Sequence, residues 1–197
     1  MEIVTSPVAW WDVVGQFRRV VGLMKMMWVV IPFATRTKNV FPSILEWVRD
    51  IKRELPVGQN LGLAGFCWGG MHAVRLCKEA SVDAGEETLI DACFVAHPAG
   101  LKVDEFSEGV GRFAVPFSMA VGDRDFVLKK ETVGEISRMM KENFGDGDGA
   151  VKYEIEMDAY KGCGHGFAVR ADEEKVVEIE GAGKAAEQAV RLFKRFL

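Results

Sequence analysis

Cysteine and histidine are scarce in this chain, and the scarcity removes whole classes of function. The four cysteines among 197 residues, Cys67, Cys77, Cys93 and Cys163, are too few and too scattered for a disulfide scaffold. No CxxC pair offers a zinc site, so no metal is expected, and a reducing, cytoplasmic setting fits the thiols best. A basic stripe or Lys/Arg-rich tail is also missing, and the formal net charge is −4. Nothing therefore recruits a nucleic-acid backbone or an anionic membrane. Long apolar runs are few. The strongest, Val20 to Ala34, is interrupted by Lys25 and falls short of the roughly 18 apolar residues of a membrane-spanning helix, so it is expected to be core. Repeats, low-complexity tracts and Pro/Ser-rich linkers are absent too. One domain over residues 1–197 is expected, with residues 1–40 as an atypical N-terminal segment.

What the chain does contain is an alternation of two kinds of segment. Ser43 and Glu46 have the spacing of a capping box, and Ile44, Trp47, Val48, Ile51 and Leu55 then mark one face of a helix. The apolar run Leu61 to Phe66 reads as a strand, and a helix with Met71, Val74 and Leu76 or Cys77 on one face follows it. Ala92 to Ala96 and Phe113 to Val121 read as further buried strands. Val133, Ile136, Met140 and Phe144 mark a helix, Val151 to Met157 a strand, and a last helix runs from about Ala182 to Leu197 with Ala186, Ala189, Val190, Phe193 and Leu197 on one face. Apolar strands alternating with amphipathic helices predict an α/β fold, a mainly parallel sheet covered by helices on both faces.

In such sheets the loops at the carboxyl ends of the strands gather functional groups. Cys67 stands at the first of these ends, inside Gly65-Phe66-Cys67-Trp68-Gly69-Gly70. A nucleophile elbow holds its residue in strained geometry between strand and helix, so small residues are needed two before and two after it, where Gly65 and Gly69 stand. The turn also sets the sulfur at a helix N-terminus, whose amides and dipole favour an anion, and the Trp68 N–H is placed to donate to an oxyanion. The competing reading makes Cys67 a small buried thiol, with glycines that allow close strand–helix packing.

An elbow nucleophile needs a base and an orienting carboxylate, which in α/β-hydrolases follow in the order nucleophile, acid, histidine. Cys67, Asp125 and His165 supply that order. Of the three histidines, His165 sits in the glycine-rich loop Gly162 to Phe167, whereas His72 reads as a helix-face residue and His97, before Pro98, as a loop-fixing hydrogen bonder. Asp123 competes with Asp125. As the earlier carboxylate of the Gly122-Asp123-Arg124-Asp125 turn it is the better turn former, and Asp125 the better orienter.

Gly65 to Gly70, the turn Gly122 to Val127 and Gly164-His165-Gly166-Phe167-Ala168-Val169-Arg170, with the terminal helix, together resemble the dienelactone hydrolase family, in particular its fungal branch. Ile31-Pro32-Phe33 and His97-Pro98 are similar to pieces of that branch, and the resemblance spans roughly residues 31 to 197. It implies an α/β-hydrolase fold, a Cys67, Asp125 and His165 triad, no cofactor, and a small-molecule ester or lactone as substrate. Family members that act on dienelactone hold the substrate carboxylate with arginines, one close behind the histidine, which points to Arg170; the other reading of Arg170 is a solvated surface charge.

One departure from the family pattern lies before the elbow. The strand, Gly-rich loop, strand sequence that precedes the elbow in the family, with its second oxyanion donor, is not found before Cys67, so the sheet is expected to lack its first strands. The segment Trp10 to Phe33 is then expected to cover the open side of the sheet or to mediate self-association. An incomplete oxyanion hole leaves a second reading beside the hydrolase, a catalytically weak or silent binding protein with a hydrolase pocket. Asp146 and Asp148, in a fragment reminiscent of a calcium loop, read as a polar turn because the required later acid is missing.

Overall fold

The computed structural model describes residues 39–197 apart from 147, 148 and 150, together with residues 12, 14–17, 20–22, 24, 25 and 28. The chain divides into two compact units, Met1–Ile44 and Leu45–Leu197. In the first, Val20, Met24 and Trp28 are exposed, Trp28 by 82%, where core was expected. Spaced four apart, these three share one side of a helical pattern. Residues 23, 26, 27 and 29–34, and Trp10 and Trp11, lie outside the described residues.

Helix α1, Phe41–Glu54, begins two residues before the expected cap, so Ser43 lies within its first turn. The Ile44 N–H donates to the Val40 carbonyl at 3.1 Å. Val48 is its buried residue and Trp47 is 64% exposed, which narrows the apolar face read from the sequence.

The second unit is built on four parallel strands in the order β1 (Gly62–Phe66), β2 (Ala92–Ala96), β3 (Phe117–Ala120) and β4 (Tyr153–Glu156). Among the described residues β1 is paired on one side only, with β2. The register aligns Phe66 with Ala96, Ala96 with Ala120, and Ala120 with Glu156, so all four strands end level and their following loops leave from one rim. β2 is buried at every position, as its unbroken apolar run requires. β3 is shorter than expected: Ala114 takes a left-handed φ of 53° and Pro116 has no N–H to pair, so regular strand starts only at Phe117.

Four helices complete this unit beside α1: α2 (Trp68–Leu76), α3 (Val103–Gly111), α4 (Lys130–Phe144) and α5 (Val176–Phe196). α2 packs on β1 and β2, with α3 between it and α4, while α5 packs on β2 and β3. Ala92, Phe94 and Ala96 point into the core shared with α5, together with Tyr160, Phe167, Ala185 and Leu192. Cys93, on the opposite face by strand alternation, lies beside Cys77 at the end of α2, whose thiol donates to the Ala73 carbonyl at 3.2 Å. The sheet is thus covered on both faces.

The sequence did not suggest α3. Its core positions are Phe106, Gly109 and Val110, and Gly109 is there because a Cβ would stand 2.6 Å from the Val74 carbonyl oxygen of α2. A helix whose contact residue is glycine leaves little apolar periodicity to read. α5 shows the same effect. It starts at Val176, not near Ala182, and buries Gly181, Ala185, Gln188 and Leu192, while Val190 is exposed. Gly181 sits where a Cβ would lie 2.5 Å from the Cys163 sulfur. Gln188 accepts from the Tyr160 hydroxyl and donates through Nε2 to Ser118 Oγ at 2.8 Å, a satisfied polar bridge inside the core.

Candidate active site

Phe66 ends β1 and Trp68 opens α2, so Cys67 must turn the chain in a single residue. It does so at φ 51° and ψ −121°, a conformation that L-residues avoid and that stores on the order of 1–3 kcal/mol. Neighbours hold it there. The Cys67 N–H donates to the Ala96 carbonyl at 3.2 Å, and the Cys67 carbonyl accepts from the N–H groups of Gly70 and Ala99, each at 3.0 Å. β1, α2 and the loop after β2 therefore all fix one cysteine.

The glycines around it do not share the task as the sequence suggested. At Gly65 a Cβ would stand 2.6 Å from the Ala73 Cβ and 2.8 Å from the Gly70 Cα. At Gly69 a Cβ would meet nothing within 4 Å, whereas at Gly70 it would meet the Pro98 Cβ at 2.9 Å. The second small residue is thus Gly70, because the obstacle is the neighbouring β2 loop and not the elbow's own turn. We expect Gly70→Ala to destabilise the fold by roughly 1–3 kcal/mol through overpacking. Gly69→Ala, free of contact on a helix, should be neutral or stabilising by up to about 1 kcal/mol. Thermal unfolding of the two variants checks this, and equal losses would refute the assignment.

The carboxylate and the histidine reach the same rim through two stitched loops. The Arg124 N–H donates to the Cys163 carbonyl at 3.1 Å, the Asp123 N–H to the Tyr160 carbonyl at 3.4 Å, and the Gly162 N–H to Asp123 Oδ1 at 2.6 Å. Gly122 is obligatory here, since a Cβ would lie 2.2 Å from the Cys163 carbonyl oxygen. Asp123 thus serves the loop and is exposed. Asp125 turns inward: its Oδ1 accepts the N–H groups of Val127 and Leu128 at 2.8 and 3.0 Å, and its side chain is fully buried.

His165 bridges the two. Its Nδ1 lies 3.0 Å from both oxygens of Asp125, and its Nε2 lies 3.2 Å from the Cys67 sulfur. The hydrogen bond to Asp125 raises the proton affinity of His165, burial opposes it, and Cys67 adds to the rise. Burial pushes the Asp125 carboxyl up, but the bond to His165 and the Leu128 and Val127 amides outweigh it and hold it below the usual range. The site thus places a carboxylate held below its usual pKa behind an imidazole whose far nitrogen is within hydrogen-bond reach of the sulfur.

The other residues singled out by the sequence are distributed as follows. Trp68 is the first residue of α2, at the positive end of the helix dipole, and its ring packs on His72 with centroids 4.3 Å apart. His72 is buried in α2, where burial and the Arg75 charge lower its proton affinity. Arg170 is exposed, and its guanidinium lies over Gly166, the residue after His165. His97 is no hydrogen bonder through its side chain: neither ring nitrogen has a partner among the described residues. Phe126, which carries no motif in the sequence, places its ring 5.4 Å from that of His165 and is 66% exposed, an aromatic lip beside the histidine. Its only sequence signal is its place directly after Asp125.

A family model of the dienelactone hydrolase family matches residues 25–197. Among characterised proteins, the hydrolase pyvD of Aspergillus violaceofuscus is 26% identical over 156 residues, 79% of this chain and 55% of that protein. The hydrolase tropI of Talaromyces stipitatus is 27% identical over 140 residues, 71% of this chain and 47% of that one. The chain therefore spans about half the length of these curated relatives. Among solved structures, a candidate dienelactone hydrolase from Klebsiella pneumoniae superposes with a TM-score of 0.52 at 16% identity, covering 78% of this chain and 61% of that one, and shares its α/β-hydrolase fold.

Proposed function

Because the chain belongs to the dienelactone hydrolase family, we propose that it cleaves a carboxylic ester or enol lactone, with Cys67 as nucleophile, His165 as base and Asp125 as the carboxylate that orients it. The observation that carries this reading is the unbroken line from the Cys67 sulfur through both nitrogens of His165 to Asp125, at 3.2 and 3.0 Å. His165 Nε2 takes the thiol proton as the sulfur attacks the carbonyl carbon. The backbone N–H of Trp68, at the helix N-terminus, faces the negative charge that develops on the carbonyl oxygen. Collapse expels the alcohol or enolate, which takes the proton from His165 and leaves a thioester on Cys67. Water, deprotonated by His165, then attacks the thioester; the sulfur leaves and recovers the proton, and the acid departs.

A thiolate is itself a good leaving group, so the tetrahedral intermediate returns to substrate unless the other group leaves as readily. Enolates and aryl oxides satisfy that condition, and amines do not. The Arg170 guanidinium beside the His165 loop favours substrates that carry a carboxylate. Four free thiols fit a reducing, cytoplasmic location, and among the described residues no helix is long and apolar enough to cross a membrane. The alternative of a silent binding protein has no need of a nucleophile, base and acid in hydrogen-bond contact, and that contact favours the enzyme.

The test is a panel of an enol lactone, an aryl ester and the matching aryl amide, with mass spectrometry of quenched protein. Turnover of the first two, none of the amide, and an acyl adduct on the Cys67 peptide are expected. Turnover of esters with no adduct on Cys67 would remove the nucleophile assignment, and no turnover at all would favour the binding protein.

A further inference from the structure

His97 carries more than a loop-fixing residue should. It follows β2 as Cys67 follows β1, it is completely buried, and both of its ring nitrogens lack a hydrogen-bond partner among the described residues. Burying an imidazole without partners costs free energy that a phenylalanine at the same place would avoid. Such an exception calls for a physical reason.

Two observations supply it. The first is the backbone: His97 adopts a φ of 41°, donates its N–H to the Ala120 carbonyl at 2.9 Å, and leads through Pro98 to Ala99, whose N–H holds the Cys67 carbonyl. A positive φ is tolerated by asparagine, aspartate and histidine far better than by most other non-glycine residues, and of these three only histidine brings an aromatic ring. The second is the ring. It stands edge-to-face against His165, with centroids 5.0 Å apart and planes at 65°, and is backed by Phe167 at 5.8 Å and Phe66 at 6.3 Å. Phe126 flanks His165 at 5.4 Å. The base is therefore walled by rings while it reaches from Asp125 to Cys67.

We propose that His97 is a positioning residue for His165: an uncharged aromatic wall that fixes the plane of the base between Cys67 and Asp125, on a left-handed turn that histidine accommodates. The charged and titratable groups that act on it agree with an uncharged ring. Burial first, then the neighbouring His165, and also the Arg170 charge push its proton affinity down, against the pull of Asp125, and leave its pKa at about 4. Two imidazoles this close disfavour both being cations, and the added proton goes to His165 because only His165 has a carboxylate to bind it. The wall is thus neutral throughout the range in which His165 cycles.

The proposal rests on His165 being the base, and the experiment separates the two. The readouts are kcat and KM for an aryl ester, together with the pH profile of Cys67 alkylation by iodoacetamide, which reports the Cys67–His165 contact without substrate turnover. His97→Asn keeps a residue suited to positive φ and removes the ring. It should lower kcat by about 10- to 100-fold, as misplacement of a catalytic group by a fraction of an ångström to an ångström does, with KM changed less. It should also move the alkylation profile. His97→Phe restores a neutral ring at some cost to the turn, and should recover most of the lost kcat and the parental profile. Normal kcat and an unshifted profile in a folded His97→Asn protein would overturn the proposal, and so would a His97→Phe protein, folded by circular dichroism, that is as impaired as His97→Asn. Should His165→Ala leave Cys67 alkylation unchanged, the base assignment itself fails, whatever His97 does.

Discussion

Replacing Cys67 by alanine should lower aryl-ester turnover by at least about 10³-fold, because the remaining site keeps its polar groups but has nothing to form the acyl intermediate. The same residue should dominate thiol chemistry in the folded protein. Cys77 and Cys93 are wholly buried and Cys163 nearly so, whereas Cys67 is partly open to solvent. Cys77, hydrogen-bonded to Cys93 and desolvated, and Cys163, desolvated beside Glu178, both have thiols pushed up in pKa. Brief iodoacetamide treatment at neutral pH followed by peptide mapping should therefore mark Cys67 first. Prior labelling of any other cysteine in folded protein, or full turnover by Cys67→Ala, would end the nucleophile assignment.

Asp125→Asn should be nearly as damaging, with kcat down by roughly 10⁴-fold, since an amide neither fixes the tautomer of His165 nor stabilises its protonated form. Asp123→Asn should be mild, because Asp123 uses one oxygen to accept the Gly162 N–H and asparagine retains that oxygen. The stability deficit of Asp125→Asn should also depend on pH. His165 has its folded pKa raised above the ordinary 6.5, so its contribution is fully present below 6.5 and fades as pH rises through the folded value. Asp125 has its folded pKa lowered below the ordinary 3.8, so its contribution is present above 3.8 and fades as pH falls through the folded value. The difference in Tm between parent and variant should therefore be largest between these limits and shrink on either side. A reversed ranking of the two aspartates in kcat, or a Tm difference that grows toward alkaline pH, would reassign the role.

Where side chains announce their task by type, the sequence was readable. β2 could be placed to the residue because a central parallel strand is apolar at each position, and Cys67, Asp125 and His165 could be paired because strand ends that share a sheet share a rim. Where contact is made by absence, the sequence was mute. Gly109 and Gly181 create helix contacts by having no side chain, so α3 went unseen and α5 was read with the wrong face and a late start. Gly69 and Gly70 are indistinguishable in a string, and only the position of Pro98 decides between them. Gln188 is polar by composition and core by partnership with Tyr160 and Ser118. His97 was legible as a strand-end residue, yet its backbone angle and its ring contact belong to three dimensions alone.

Cys67 and His165 meet across 98 residues of chain, and the histidine arrives on the loop between the last strand and the last helix. A ribosome delivers the thiol long before the histidine. In the proposed mechanism Cys67 meets its base only once Tyr160, Cys163 and Phe167 are packed in the core and the loop between them holds His165 at the rim. Under the proposed mechanism Cys67 acquires its assisted reactivity only when the C-terminal part of the sheet closes, so the change in the pH profile of its alkylation during refolding should time that closure.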